Sequence, residues 1–594
     1  MPAHDPHLEH YRRELSYLRT ESAHFAARYP KLARSLVLTD AESADPHIQH
    51  LIESVAFLTA GVHRELDRVA PAAAAAILDN LCPSLAQPVP SMTIMQMSLD
   101  PAQGKVTAGS RVARGTLLST TALSGVPCRF QVGWNTTLWP LQVQEVVREN
   151  AHSMRIKVRA DAGVDVAELE VDSLRLHLAG EQLTTMPLHE LLLTDLDYVE
   201  VIGAGRVHHL SADCLQEAGF DEDQLLLASP AHAHPAYSLL QEYFAFPRKF
   251  QFFDLHGLRG TLGSGGGFSL RFVFSRGAST LELLRPEHVR LNCVPAVNLF
   301  PVTSEPIAYD QRHYEYLLIP NRRRDATTEV HSVVAVTLSD PRSEKSEAIP
   351  SAFADTGSEG DTDGLRGNAP LTWTMRRSAS LRPGIAGSDV HLGFVDRRDV
   401  RAQTTTPVIY ASLLCTNRQL ASQVMPNTRF QGEGMAASTD IRALYQPSDQ
   451  RAPTMDSESL WALASLLRLN HRSLVDDNAD AVTLREMLGL FASDNARDAK
   501  QIMGVKRVAT KPGTARIPGM AGKGSWRGHC RGTDIVIEFD ADCFAGSSAL
   551  MLAGVLARFF ALYTTANSFV RLTVRRGEED WMTWPPMTGR QALV

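Results

Sequence analysis

The hydrophobic pattern of this chain changes period at a proline-marked joint, and that change constrains its fold more than any other feature. Before the joint, residues 9–82 repeat apolar side chains at helical spacing. In EHYRRELSYLRTESAHFAARYP, the positions Tyr11, Leu15, Leu18, Ser22, Phe25 and Tyr29 are spaced 4, 3, 4, 3, 4, one helical stripe ending at Pro30. A second helix is expected to open at Asp45 as N-cap with Pro46 at its first position. It repeats Ile48, Leu51, Ile52, Val55, Leu58, Val62, Leu66 and Val69. Pro71 is expected to start a third, Ala-rich segment that stops at Cys82-Pro83. Such a layer holds more apolar face than one hairpin seam consumes, so part of it must pack on another domain or another chain. Tyr11, Leu15, Leu18, Phe25 and Tyr29 are the candidate partner interface, with the chain's own core as the competing use of the same side chains.

After the joint PSLAQPVPS (83–91) the period becomes two. Met95, Met97 and Leu99 alternate with Gln96 and Ser98, and CRFQV, MRIKVRA and SLRLHLA follow as short strands between turn residues. AYSLLQEYFAF inserts a helix at 236–246, ended by Pro247, before strands resume. The stretch 339–370 holds seven acidic residues among many Ser, Gly and Pro and reads as a solvated, disordered loop. Strands return from 371, and a helical stretch begins at Ser457, capped by Ser457 or Ser459. The chain closes with strand DIVIEFD, helix ALMLAGVLARFFALYTTAN and strand SFVRLTVRR.

The reading is an α+β multidomain protein with an N-terminal helical layer, β-rich middle modules and a C-terminal mixed α/β unit. Its expected divisions are a helical region at 1–90, a β-rich region at 91–338, the acidic loop at 339–370, a second β-rich region at 371–456 and a helical and α/β region at 457–594. A length of 594 residues suits roughly three to five domains. Seven cysteines, none closer than 13 residues to another, suggest neither a disulfide framework nor a metal pair, and a reducing compartment fits best. The N-terminus has no apolar segment of a secretory signal, and the longest apolar run, at 549–563, contains Arg558. No membrane insertion is expected.

Tests for chemistry come out negative. Gly104-Lys105 and Gly522-Lys523 lack the glycine that a phosphate-cradling loop needs five residues earlier. GTLGSGGGFS (260–269) lacks dinucleotide spacing and reads as a hairpin loop between two strands. His189-Glu190 is followed by three leucines, so no zinc-protease motif exists, and no serine has the glycines of a nucleophile elbow. His232 and His234 have no further ligand near in sequence. A hydrolase assembled from distant Ser, His and acidic residues, with His208, His209, His232 and His234 as candidates, is the alternative to a scaffold. The segment 499–533 carries eight basic residues and no acid, with Trp526 as its one aromatic. It lacks stacking platforms for nucleic acid and suits an acidic neighbour within this chain or a partner.

Several long strings carry a family resemblance. HYRRELSYLRTESAHFAARYPKLARSL, DPHIQHLIESVAFLTAGVHRELD, EYFAFPRKFQFFDL, VRLNCVPAVNLFPVTSEPI, LLCTNRQL, RFFALYTTANSF and TWPPMTGRQ resemble, in order, the TssF family, also called ImpG or VasA, of type VI secretion systems. The resemblance implies a structural, non-catalytic role without cofactor or metal. It implies a baseplate wedge in which two copies pair with one TssG, joined to TssE and TssK around a VgrG hub in the cytoplasm, where sheath assembly starts.

Overall fold

The change of period at 83–91 is a change of architecture. The computed structural model describes residues 6–29, 46–99, 107–120, 125–227, 235–339, 346–352, 371–396, 407–436, 439–466, 481–493, 495–516, 529–562, 564, 568–577 and 579–589. Among them the α-helices are α1 (Pro6–Arg28), α2 (Pro46–Leu81), α3 (Gln182–Thr194), α4 (Pro235–Ala245), α5 (Ser457–Leu466), α6 (Val482–Gly489), α7 (Ala496–Met503) and α8 (Ala549–Leu562). None of the described helices is long and apolar enough to cross a membrane. The chain divides into two units, Met1–Leu78 with Met455–Ala464, and the remainder.

The first unit is helical. α2 runs unbroken through Pro71, where the sequence predicted a new segment. Proline removes one backbone hydrogen bond from a helix, but the five alanines at 72–76 are the best helix formers and carry it onward. α5 is capped by Asp456, whose Oδ2 accepts the Ser459 amide at 2.8 Å, rather than by Ser457 or Ser459. A carboxylate beside the positive helix start makes the stronger cap, and the serines fall inside the first turn.

The second unit is strand-rich. A closed barrel runs in the order Met92–Ser98, Cys293–Val297, Arg129–Val132, Leu117–Thr120, Arg429–Gly432 and Asp440–Ala443. Its alternating inward residues, including Met95, Phe130, Val294 and Phe430, fill the lumen, with the Phe130 and Phe430 rings edge to face at 5.7 Å.

Beside it, a five-stranded sheet centred on Gly267–Phe274 and a four-stranded sheet containing Phe252–His256 and Ser173–Leu178 share one core with α3. GTLGSGGGFS connects these two sheets rather than closing a hairpin, because its flanking strands pair with other partners. The loop is pinned: Gly265 donates its amide to Asp165 at 2.8 Å. Gly203 is required opposite it, since a Cβ there would lie 2.0 Å from the Leu262 carbonyl oxygen.

A second sandwich pairs the sheet built on Val408–Thr416 and Glu329–Ser339 with the three strands Glu315–Leu317, Ser388–Asp396 and Leu371–Ala379. Inside the stretch read as an acidic loop, Ser346–Ile349 pairs antiparallel with Glu329–Ser339. Ile349 is buried there and its carbonyl accepts the Trp373 indole N–H at 3.1 Å, so one apolar residue anchors a strand in an otherwise polar run. Residues 340–345 and 353–370 lie outside the described residues.

At the C-terminus, Val505–Arg516 and His529–Phe539 form a long hairpin. Phe569–Arg576 joins His529–Phe539 in parallel, with α8 as the crossover. Leu550, Leu552, Val555, Leu556, Phe559 and Phe560 of α8 are all buried, as a helix apolar on every side must be.

α4 and the turn after it tie these modules together. Glu242 and Lys249 are both fully buried and paired with each other, and Glu242 Oε1 also accepts the amides of Leu226 and Leu227 at 2.7 Å each. Gln241 donates to the Ser84 carbonyl at 2.9 Å, and the Tyr243 hydroxyl reaches Gln501 at 3.1 Å. Tyr237 packs edge-on against Phe559 of α8 at 6.1 Å. Glu242→Gln leaves Lys249 without its counter-charge in a dry interior, and is expected to lower stability by about 3–5 kcal/mol in denaturant titration. The double variant Glu242→Gln/Lys249→Met, which removes the stranded charge, is expected to recover most of that loss.

Candidate functional site: an uncovered helical face

The first unit presents the site. α1 and α2 are joined by a polar contact, Glu14 Oε1 to His63 Nδ1 at 2.6 Å, with the Glu14 carboxylate nine-tenths buried. Between Leu51 and His63 on α2 the fully buried positions are the small residues Ala56 and Ala60, one helical turn apart, and farther along the helix Ala74 and Leu78 are buried as well. Large residues of the first stretch face solvent instead: Leu51 is 64% exposed, Val55 40%, Leu58 68% and Val62 59%. Their spacing of 4, 3 and 4 makes one continuous apolar stripe, and Phe57 beside it is also exposed.

The residues proposed from sequence divide along α1. Tyr11, Leu15 and Leu18 are half-buried. Phe25 and Tyr29 are exposed and contact each other, ring centroids 5.3 Å apart. The stripe of α2 was visible in the sequence as an apolar repeat but was not singled out as an interface. The missed signal was the pair Ala56 and Ala60, because close helix approach favours small side chains at the seam and leaves larger ones outside.

The catalytic alternative finds no assembled site. His208 and His209 are adjacent on the strand Arg206–Ser211, so their side chains leave opposite faces. His209 lies 3.6 Å from Glu200 and near the Tyr198 ring on a solvated sheet surface. His232 and His234 lie outside the described residues. Among the described residues, no group of three or more His, Cys, Asp and Glu could hold a metal ion. An open cavity of about 400 Å³ on the five-stranded sheet is lined by Gln144, Lys157, Arg159 and Ser269 with glycine backbone, which supplies two cations and no acid-base pair.

This arrangement of barrel, sandwiches and C-terminal α/β unit is the fold of a chain in solved type VI secretion assemblies. A chain of a TssK-TssF-TssG baseplate subcomplex superposes with a TM-score of 0.72 at 23% identity, covering 91% of this chain and 99% of its own. A chain of a type VI secretion baseplate complex gives 0.59 at 21% identity, covering 99% of this chain and all of its own. In sequence, the type VI secretion system component TssF1 of Pseudomonas aeruginosa is 32% identical, over 98% of each chain. The family described as Type VI secretion system, TssF, matches residues 3–591, and the chain belongs to that family.

The buried histidines carry a measurable consequence. Burial pushes His177 and His331 down to about 3 and His189 down to about 4. Below the ordinary value of 6.5 the unfolded chain binds protons that these folded imidazoles refuse, so stability falls as pH drops from about 6.5 toward 4. Asp79, pushed up to about 6 by burial, acts in the opposite sense, as do Glu190 and Glu217, which burial also raises, while His288 and His391, lowered by burial, add to the decline. Calorimetric melting temperatures are therefore expected to be lower at pH 5 than at pH 7.5. His189→Leu is expected to flatten the decline by up to about 1.4 kcal/mol per pH unit, and an unchanged slope would place the titration elsewhere.

Proposed function

We propose that this chain is a structural, non-catalytic subunit of a type VI secretion baseplate wedge. It pairs with a second copy and with TssG through the N-terminal helices, contacts TssK and TssE in the assembled wedge, and stands near the VgrG hub in the cytoplasm where sheath assembly begins. The observation that carries this reading is the uncovered apolar face of α1 and α2 in a chain of the TssF family. Water is a poor permanent neighbour for it: each large side chain of the stripe gains about 1.5–3 kcal/mol when a partner buries it.

A wedge that survives the stroke of a contractile machine needs obligate-style contacts, on the order of 2,000 Å² or more per neighbour with aromatic anchors near the centre. Phe25, Tyr29 and Phe57 are the anchors, and Leu51, Val55, Leu58 and Val62 supply the flanking area. Half-buried Tyr11, Leu15 and Leu18 hold α1 in place and extend the face.

Co-expression with TssG and a differently tagged second copy tests the assignment. Leu51→Asp/Leu58→Asp and Phe25→Asp are expected to abolish co-purification, while circular dichroism and melting temperature stay as in the unaltered chain. Variants that still co-purify in full would remove the helical face from the interface. A matched control on the solvated sheet surface, Arg206→Asp, is expected to leave the complex intact.

A further inference from the structure

The six described bases of 499–533, Lys500, Lys506, Arg507, Lys511, Arg516 and Arg531, separate into two groups once the strands are in place. Near the body of the C-terminal sheet they meet acids. Lys506 Nζ lies 3.1 Å from Asp540, whose carboxyl is held below its ordinary value chiefly by that contact, with Lys500 contributing. Arg507 stands opposite Glu538, and Lys511 opposite Asp534, in the antiparallel register. Asp534 is in turn gripped by both donors of Arg571, each at 2.9 Å.

Farther out the arrangement changes. The third strand ends at Phe569, which pairs with Gly532. Beyond the Gly513 and Gly532 pair, the hairpin continues as two strands through Thr514 opposite Arg531, Ala515 opposite Cys530 and Arg516 opposite His529. Over the body of the sheet, one face of this hairpin carries the buried residues Val508, Ile535 and Ile537. By strand alternation the same face carries Thr514, Arg516 and Arg531 in the projecting part. Both arginines are exposed, and among the described residues no acid lies within ion-pair distance of either.

We propose that this two-stranded arm docks on an acidic surface of another protein. Two physical arguments support an external acidic partner. A two-stranded ribbon without a third strand is marginal in water, and diagonal like charges on one face weaken it further, so carboxylates across that face would stabilise it on both counts. Nucleic acid is the poorer occupant, because Trp526 is the one aromatic in the segment and a single ring offers little stacking. The arm is separate in sequence and in chemistry from the helical face proposed above, and does not depend on that assignment.

The test uses the full-length chain with fluorescent poly-L-glutamate as the acidic probe and a short DNA duplex as competitor class, read by anisotropy at several salt concentrations. The unaltered chain is expected to bind poly-L-glutamate with an affinity that falls as salt rises. Arg516→Gln/Arg531→Gln is expected to weaken it roughly tenfold or more at unchanged melting temperature. Arg206→Gln/Arg312→Gln, exposed arginines elsewhere, is expected to have no such effect. The proposal is overturned by absence of binding, by equal loss in both double variants, or by tighter binding of the duplex. It is also overturned if poly-L-glutamate binds only after Asp355, Glu359, Asp361 and Asp363 are neutralised to Asn and Gln, since the chain's own acidic stretch would then be the occupant.

Discussion

The Glu242 and Lys249 pair is the contact on which the strand-rich unit depends. Both side chains are fully buried, and a lone carboxylate or ammonium at that depth would cost several kcal/mol. The pair is tolerable because Glu242 Oε1 also receives two backbone amides, from Leu226 and Leu227. Those amides belong to a segment that packs on the barrel core, while Phe252 and Phe253, a few residues after Lys249, enter the barrel core and the adjoining sandwich core respectively. One ion pair therefore ties α4 to the turn after it and to the backbone at Leu226 and Leu227. In EYFAFPRKF, Glu242 and Lys249 face inward together with the buried rings of Tyr243, Phe244, Phe246 and Phe250.

The layout was largely legible in the sequence because it rests on local periodicity. The inserted helix expected at 236–246 is Pro235–Ala245, and the closing strand, helix and strand appear as read. What could not be read depends on neighbours distant in sequence. Pro71 was given its usual role as a boundary, but the alanines after it outweigh one lost hydrogen bond. Ser346–Ile349 became a strand because Glu329–Ser339 offered an edge and Trp373 offered a donor. The loop at 260–269 was assigned to a hairpin since flanking strands commonly pair, yet each flank found a different sheet. For the candidate site, the apolar excess of the helices was visible, whereas the choice of Ala56 and Ala60 for the seam was not. Helical spacing says which residues share a face, and packing geometry decides which face is inside.

The two surfaces left open differ in kind. The stripe of the helical face is apolar, so contacts on it gain chiefly from water release. The hairpin arm is cationic and thin, and contacts there are directional, early in encounter and sensitive to ionic strength. A subunit with both can be steered by one and held by the other. The modest net charge of −7 does not reveal this division, because eight of the 59 bases lie in the acid-free segment 499–533.

The six-stranded barrel has a consequence for how the chain reaches its native state. Its strands come from residues 92–132, 293–297 and 429–443, so the cylinder cannot close until more than two thirds of the polypeptide has left the ribosome. Pairings at such separation pay a large loop-closure entropy before any contact repays it, which makes closure a late and slow event. Until then Met92–Ser98, which can already pair with Cys293–Val297, keeps its other edge open for Asp440–Ala443. Synthesis order thus puts α1 and α2 several hundred residues ahead of the last barrel strand, while the segment Met455–Ala464 that completes their unit is made only after that strand, so the barrel and the helical unit reach completion together near the end of synthesis.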